Sequence, residues 1–182
     1  MKLVDGSMTQ MEYQKDLKVS RIFALDTETT DLDYMEADLV GISFCSEIGK
    51  AAYVPLTHNY ENCPAQLSRD EVLNRLSKLL VDPEITIVGQ NIKYDAKVFS
   101  RYGVMLNTFD DTMLLSYALH GGLHNHGMDA LSERYLDHSP IAIKTLIGSG
   151  KSAITFEKVK IKDAVIYAAE DADITLRNFK IY

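Results

Sequence analysis

The chain lacks several things that would mark other classes of protein. No apolar run reaches the ~18 residues that a membrane-spanning helix requires. The N-terminus carries no apolar stretch of the kind that marks a secretory signal. Cysteine is scarce: only Cys45 and Cys63 are present, and neither lies in a Cys-x-x-Cys pair. That excludes a disulfide framework and argues against a structural zinc site, so a reducing cytoplasm is the expected compartment. Positive charge is also short, with 19 Lys and Arg against 26 Asp and Glu and a net charge of -7. A surface that coats duplex nucleic acid needs clustered cations, which this chain does not supply. An enzyme that grips only a strand end is still compatible, because bound divalent cations can provide positive charge locally. Internal repeats and low-complexity tracts are absent as well.

What remains is an ordinary globular composition, 46% hydrophobic and 25% charged over 182 residues, enough for one compact domain with a sizeable core. Residues 1–7 read as an expression scar ahead of Met8, leaving 8–182 as a single domain. Residues 178–182 carry no Gly or Pro stop signal, which leaves a continuation of the chain open.

Short apolar runs at 21–26 and 39–45 predict strands, and 51–55 returns as a third after a hairpin turn at 47–50. Cys45 falls in that apolar pattern and reads as core. Val72, Leu73, Leu76, Leu79 and Leu80 have helical spacing, predicting a helix over 67–81. Ser68 and Glu71 form a capping box at its start, and Asp82-Pro83 ends it. A buried strand at 85–88 precedes a helix at 94–102 that Gly103 terminates. Helices follow at 112–120, 128–136 and 161 to about 179, the first two separated by a turn at Gly121-Gly122. The alternation of strands and helices indicates an α/β fold around a central sheet.

Three motifs carry chemistry. Asp26-Thr27-Glu28 ends the first apolar run, and the period of two along a strand puts both carboxylates on one face. Two carboxylates that close repel unless a cation lies between them, and hard oxygen donors suit Mg²⁺ or Mn²⁺. Taken alone, the motif reads more readily as a solvated turn. Asn91-Ile92-Lys93-Tyr94-Asp95 follows the strand at 85–88 and opens a helix, with Asn91 as N-cap and Asp95 near the positive end of the helix. Lys93 and Lys97 are expected in solvent. Tyr167 and Asp171, four apart, share one face of the last helix. Ala168, Ala169 and Ala172 suggest close packing that carries Asp171 toward the other acids, with Glu170 and Asp173 left on an exposed acidic face. Four carboxylates and a tyrosine are what two-metal phosphodiester cleavage needs.

Two other patterns are weaker. Gly148-Ser149-Gly150-Lys151-Ser152 looks like the end of a phosphate-binding loop, but Thr145 stands where that motif needs Gly and no strand precedes it. His120, His124 and His126 cluster around Gly121-Gly122 and could ligate a metal, although loop histidines without acidic partners more often face solvent.

Taken together and in this order, the three motifs resemble those of DEDDy 3′-5′ exonucleases, specifically the proofreading domains of bacterial family A polymerases of the DNA polymerase I type. The resemblance extends from about Arg21 onward and includes residues 23–29, 39–44, 88–91, 111–114 and 167–173. Tyr rather than His at 167 points to the DEDDy branch. The resemblance implies an RNase H-like fold with a central mixed β-sheet flanked by helices. It implies two divalent cations, Mg²⁺ or Mn²⁺. Asp26, Glu28 and Asp171 would hold one, while Asp26, and Asp95 through water, would hold the other. Tyr167 with Glu28 would orient the attacking water, and the product would be a nucleoside 5′-monophosphate. Thr29 and Leu32 would meet the last bases of a DNA 3′ end, single-stranded or frayed, with Gln90, Asn91 and Tyr94 along the strand. Relatives carry an aromatic residue near the position of Ile143 and an Arg near that of Asn125; neither is present here, which weakens the expected grip on DNA. A polymerase domain in the same natural chain is the expected partner.

Two further readings remain open. One is a catalytically silent structural module of a polymerase, which retention of all five residues disfavours. The other is an RNA-trimming exonuclease of the same superfamily, which shares the metal chemistry.

Overall fold

Residue 17 and residues 19–182 are described by the computed structural model; the proposed scar at 1–7 lies outside the described residues. Five strands form one mixed sheet: β1 (Ile22–Thr29), β2 (Leu39–Glu47), β3 (Lys50–Pro55), β4 (Thr86–Gly89) and β5 (Phe109–Asp111), in the order β3-β2-β1-β4-β5. The first three are antiparallel neighbours. Gly49, at a φ of 84°, makes the tight β2–β3 turn that a residue with a Cβ would resist. β4 and β5 run parallel to β1. Helices α1 (Arg69–Leu80) and α2 (Lys93–Arg101) provide the crossovers that parallel pairing requires.

Period-two alternation divides β1 between two layers. Phe23 and Leu25 pack with Ile42, Phe44 and Ile87 beneath α1 and α2, using the apolar stripe Val72, Leu73, Leu76, Leu79 and Leu80. Ala24, with Cys45 and Ala51, instead meets α6 (Ile161–Phe179) at Ala169, Ala172 and Leu176. Alanine faces alanine here, and small side chains at a contact let the axis of a helix approach closely. That proximity matters more than the modest apolar burial, because α6 carries Tyr167 and Asp171. Helices α3 (Thr112–His120), α4 (Met128–Leu136) and the short α5 (Lys144–Ile147) complete the chain. No helix among the described residues is long and apolar enough to cross a membrane.

Several local expectations change. β1 does not stop at Asp26 but runs through the polar residues to Thr29, because β2 pairs with it throughout: Asp26 with Ser43, Glu28 with Gly41. Ser68 occupies the N-cap of α1 without any side-chain capping bond, so the capping box does not form. Asn91 is not the N-cap of α2; Ile92 is, and Asn91 takes a left-handed φ of 59°. The cap comes from outside. The Asp111 carboxylate accepts from the backbone N–H of Asn91 (3.0 Å) and Ile92 (3.1 Å) while also capping its own helix through Met113 (2.9 Å) and Leu114 (3.3 Å). One buried carboxylate thus ties the N-termini of α2 and α3 together. Asp111→Ala removes the acceptor of four backbone N–H groups, one buried and three part-buried, so a loss of about 3 kcal/mol is expected in urea unfolding, beyond the roughly 1 kcal/mol of an ordinary cap. A loss no larger than an ordinary cap would show that this double capping is not important.

Candidate active site

Asp26 and Glu28 leave β1 on the α6 side of the sheet, and Asp171 comes down from α6 to meet them. Oxygen atoms of these three carboxylates all lie within 4.8 Å of one another. Asp95, in the first turn of α2, approaches from the other layer. It is not a member of the trio. Its Oδ1 accepts from Thr27 Oγ1 at 2.5 Å and Thr27 N–H at 3.1 Å, which pins it beside β1. The strand therefore places Asp26 and Glu28 toward one layer while Thr27 secures the fourth acid from the other. Tyr167 lies one turn before Asp171 on α6, and its hydroxyl acts electrostatically on that carboxylate.

Burial of so many acids moves their titration. Asp26 is pushed up to about 8 by desolvation and then by Asp171, against a lowering bond from the Thr27 N–H. Asp171 rises to about 7, again from desolvation, although the Tyr167 hydroxyl opposes it. Glu28 is held well above the carboxylate range by burial and by its acidic neighbours, and Asp95 by burial and Asp26. Tyr167 is raised by burial and by Asp171, so its hydroxyl keeps its proton. Glu28 Oε1 is buried without a hydrogen-bond partner. An unpaired buried carboxylate oxygen is costly, and a hard divalent cation bound by oxygen donors is the group that would satisfy it. The donor set fits such an ion.

These residues line a cleft of about 700 Å³ that also takes in Thr29, Leu32, Gln90, Asn91 and Tyr94. Leu32 is 93% exposed at its edge, free to meet a ligand. Tyr94 OH donates to the Asp31 carbonyl (2.5 Å) and lies 2.6 Å from Thr29 Oγ1, so the loop after β1 is tied to α2. Gln90 accepts from Thr112 Oγ1 (2.5 Å) and donates to the His126 carbonyl (2.8 Å), fixing its amide across the floor. Ile143 lines the cleft too. Met128, Ile147, Ile154 and Phe156 form an apolar wall that sequence reasoning missed. No single periodicity marks them, because they come from α4, α5 and the irregular stretch at 154–156.

Other candidates are placed elsewhere. Glu170 and Asp173 are not an exposed acidic face. Glu170 accepts from the Ile141 N–H (2.7 Å) and meets His138 (2.9 Å), while Asp173 accepts from Gly49 N–H (2.6 Å) and Arg177 (2.7 Å). Each fastens α6 to a neighbouring segment. Lys97 lies over the Tyr34 ring at 4.0 Å rather than free in solvent. His120, His124 and His126 are half-buried rather than solvent-facing, and both ring nitrogens of His124 are engaged, by the Asn125 carbonyl (2.8 Å) and Tyr135 OH (3.2 Å). Among the described residues, the acid trio is the group of His, Cys, Asp and Glu arranged to hold a metal. The segment after α5 forms a 3-10 turn, Gly150–Ser152, not a phosphate loop. Cys45 is buried and Cys63 half-buried, and both are free.

A family model described as 3′-5′ exonuclease matches residues 1–181. Among curated proteins, the chain is 44% identical over 179 residues to DNA polymerase I of Rhizobium leguminosarum, covering 89% of this chain and 18% of that protein. It is 45% identical over 166 residues to DNA polymerase I of Pseudomonas aeruginosa, covering 90% of this chain and again 18% of the other. The chain thus spans about a fifth of the length of these relatives. Among solved structures it is similar to Trypanosoma brucei RNase D, with a TM-score of 0.74 at 18% identity over 93% of this chain and 60% of that one. That likeness places the mixed sheet and its flanking helices in the RNase H-like fold.

Proposed function

The chain belongs to the 3′-5′ exonuclease family carried by bacterial DNA polymerase I, and we propose on that premise that it removes nucleoside 5′-monophosphates from DNA 3′ ends by a two-metal mechanism. The observation that carries this reading is the trio Asp26, Glu28 and Asp171, delivered from two different elements onto one point with a buried, unpartnered Glu28 oxygen. Asp26, Glu28 and Asp171 would hold one divalent ion, and Asp95, reaching through water, would help Asp26 with a second. Bound there, the ions would supply Lewis-acid stabilisation of the attacking and leaving oxygens.

The chain's own residues do the rest. Tyr167 keeps its proton, so it positions water by hydrogen bonding instead of removing a proton. Glu28 provides the second contact that orients that water. Thr29 and Leu32 meet the terminal bases, and Gln90, Asn91 and Tyr94 follow the backbone of the strand. A cleft of this kind accepts single strands, so a mismatched end, which frays at less cost, enters more readily. That is the basis for a proofreading role, with a polymerase domain in the same natural chain.

The test is degradation of a 5′-labelled single-stranded DNA with Mg²⁺ or Mn²⁺, beside an EDTA control and an RNA of the same sequence. A ladder shortening from the 3′ end, faster on DNA and lost in EDTA, is expected. Faster shortening of RNA would move the reading to an RNA-trimming enzyme, and an inert folded protein would favour a silent module.

A further inference from the structure

Tyr167 stands at the end of a series of contacts that begins far away in sequence. The loop after β3 contacts the turn that enters α6 at four points. Asn59 N–H donates to the Glu157 carbonyl (2.7 Å), Lys158 Nζ to the Asn59 carbonyl (2.8 Å), and Ile161 N–H to Tyr60 OH (3.3 Å). The fourth contact is buried: His58 Nδ1 lies 2.9 Å from the Val159 carbonyl. A carbonyl only accepts, so Nδ1 carries the hydrogen and Nε2 must accept from Tyr53 OH at 2.7 Å. Burial lowers the pKa of His58, which agrees with a neutral ring in one tautomer.

The backbone of His58 is itself clamped. Its N–H donates to Gln66 Oε1 and its carbonyl accepts from Gln66 Nε2, both at 2.8 Å. From this anchor the contacts run to the cleft. The His58 ring packs on Phe156 at 6.0 Å between centroids, and Phe156 packs on Tyr167 at the same separation. On its other side Tyr53 reaches over Gly41, where a Cβ would come within 2.1 Å of its hydroxyl. Gly41 is the residue paired with Glu28 in the sheet. Tyr53 and His58 therefore lie behind both groups proposed to orient the water.

We infer that His58 is a positioning residue for cleavage, acting through Phe156 and the 156–159 turn to set the Tyr167 ring. The inference rests on the nuclease reading above for its effect on rate, but not for its effect on the ring. A displacement of about 1 Å at a reacting group can lower a rate by about 10²-fold, so His58→Ala is expected to lower kcat by about tenfold or more. KM changes less than kcat, because His58 touches no substrate and the residues proposed to meet the strand, Thr29, Leu32, Gln90, Asn91 and Tyr94, lie outside this relay. His58→Asn, whose amide can still donate to the Val159 carbonyl, recovers most of the loss.

The deciding experiment is a double-mutant cycle with Tyr167→Phe. In that background His58→Ala changes kcat by less than about twofold, since the hydroxyl it positions is gone. In parallel, 3-fluorotyrosine at position 167 gives a ¹⁹F resonance that moves or broadens in His58→Ala and returns in His58→Asn. Equal losses of kcat in both backgrounds, or an unmoved resonance, would overturn the inference. Tyr53→Phe, which removes one oxygen, carries the same cycle if His58→Ala fails to fold. If the unaltered protein cleaves no nucleic acid, the nuclease reading fails while the resonance still decides whether His58 positions Tyr167.

Discussion

Asp26→Ala is expected to lower 3′-end cleavage by about three orders of magnitude or more while the protein stays folded. Asp26 belongs to the trio and is also the proposed bridge to a second ion, so its loss removes ligands from both. Charge stabilisation by a bound cation is worth several kcal/mol, and about 1.36 kcal/mol is a tenfold change in rate, which sets the scale of the loss. Asp173→Ala is the informative control. It too removes an aspartate carboxylate, from α6 rather than β1, yet Asp173 is bound to Gly49 and Arg177 and lies outside the trio. It is expected to lower stability and leave the rate within a fewfold of the original. Single-turnover rates at saturating Mg²⁺ or Mn²⁺ check both. An Asp26→Ala rate within tenfold of the unaltered protein would remove Asp26 from the site.

The second large effect is on stability. With no divalent cation, the thermal midpoint is expected to fall as pH rises through neutrality. An unfolded aspartate titrates near 3.8, whereas Asp26 and Asp171 in the fold titrate at about 8 and about 7. Between those values the folded state holds protons that the unfolded state has released, so the unfolded state gains as pH rises. The contribution is fully present below about 4 and is lost progressively up to about 7 for Asp171 and about 8 for Asp26. His58 and His126 have lowered pKa values and act in the opposite sense, destabilising the fold as pH drops below their ordinary 6.5. Above 6.5 the histidine contribution fades as the unfolded imidazoles lose their protons, so the carboxylates dominate increasingly from pH 6.5 to 8.

Adding Mg²⁺ or Mn²⁺ should raise the midpoint and flatten its pH dependence, because the cations replace the protons and bind only the folded state. Asp171→Asn should do much the same without any cation, by removing one charge from the trio, and should abolish cleavage. Such a variant, more stable and inactive, separates a functional cluster from a structural one. Calorimetric scans at several pH values, with and without cation, measure it. A midpoint that is flat from pH 6.5 to 8 and indifferent to cation would contradict the assignment.

Much of this molecule is legible along the chain. The hairpin at 47–50, the apolar stripe of α1 and the long final helix all follow from periodicity and turn chemistry, which act over a few residues. So does the placement of Asp26 and Glu28 on one face of a strand, since alternation needs no partner. The alanines of α6 signal close packing, because side chains this small bury useful area only when a neighbouring element comes near.

The errors have a common cause. β5 has only three residues, two of them acidic, and is a strand because β4 lies beside it. Asn91 reads as a cap along the chain, yet Asp111, twenty residues on, supplies the cap itself. Glu170 and Asp173 read as surplus charge because the N–H groups they satisfy belong to residues 141 and 49.

Residue types and their local spacing are enough to name the groups at the site and the element that carries each one. Folding of the whole chain is needed to bring three acids within 4.8 Å, to set Asp95 apart on Thr27, and to put His58 and Phe156 in line behind Tyr167. The division follows from range. Side-chain type and backbone period act locally, whereas convergence depends on sheet order and helix packing, which bring together residues more than a hundred positions apart.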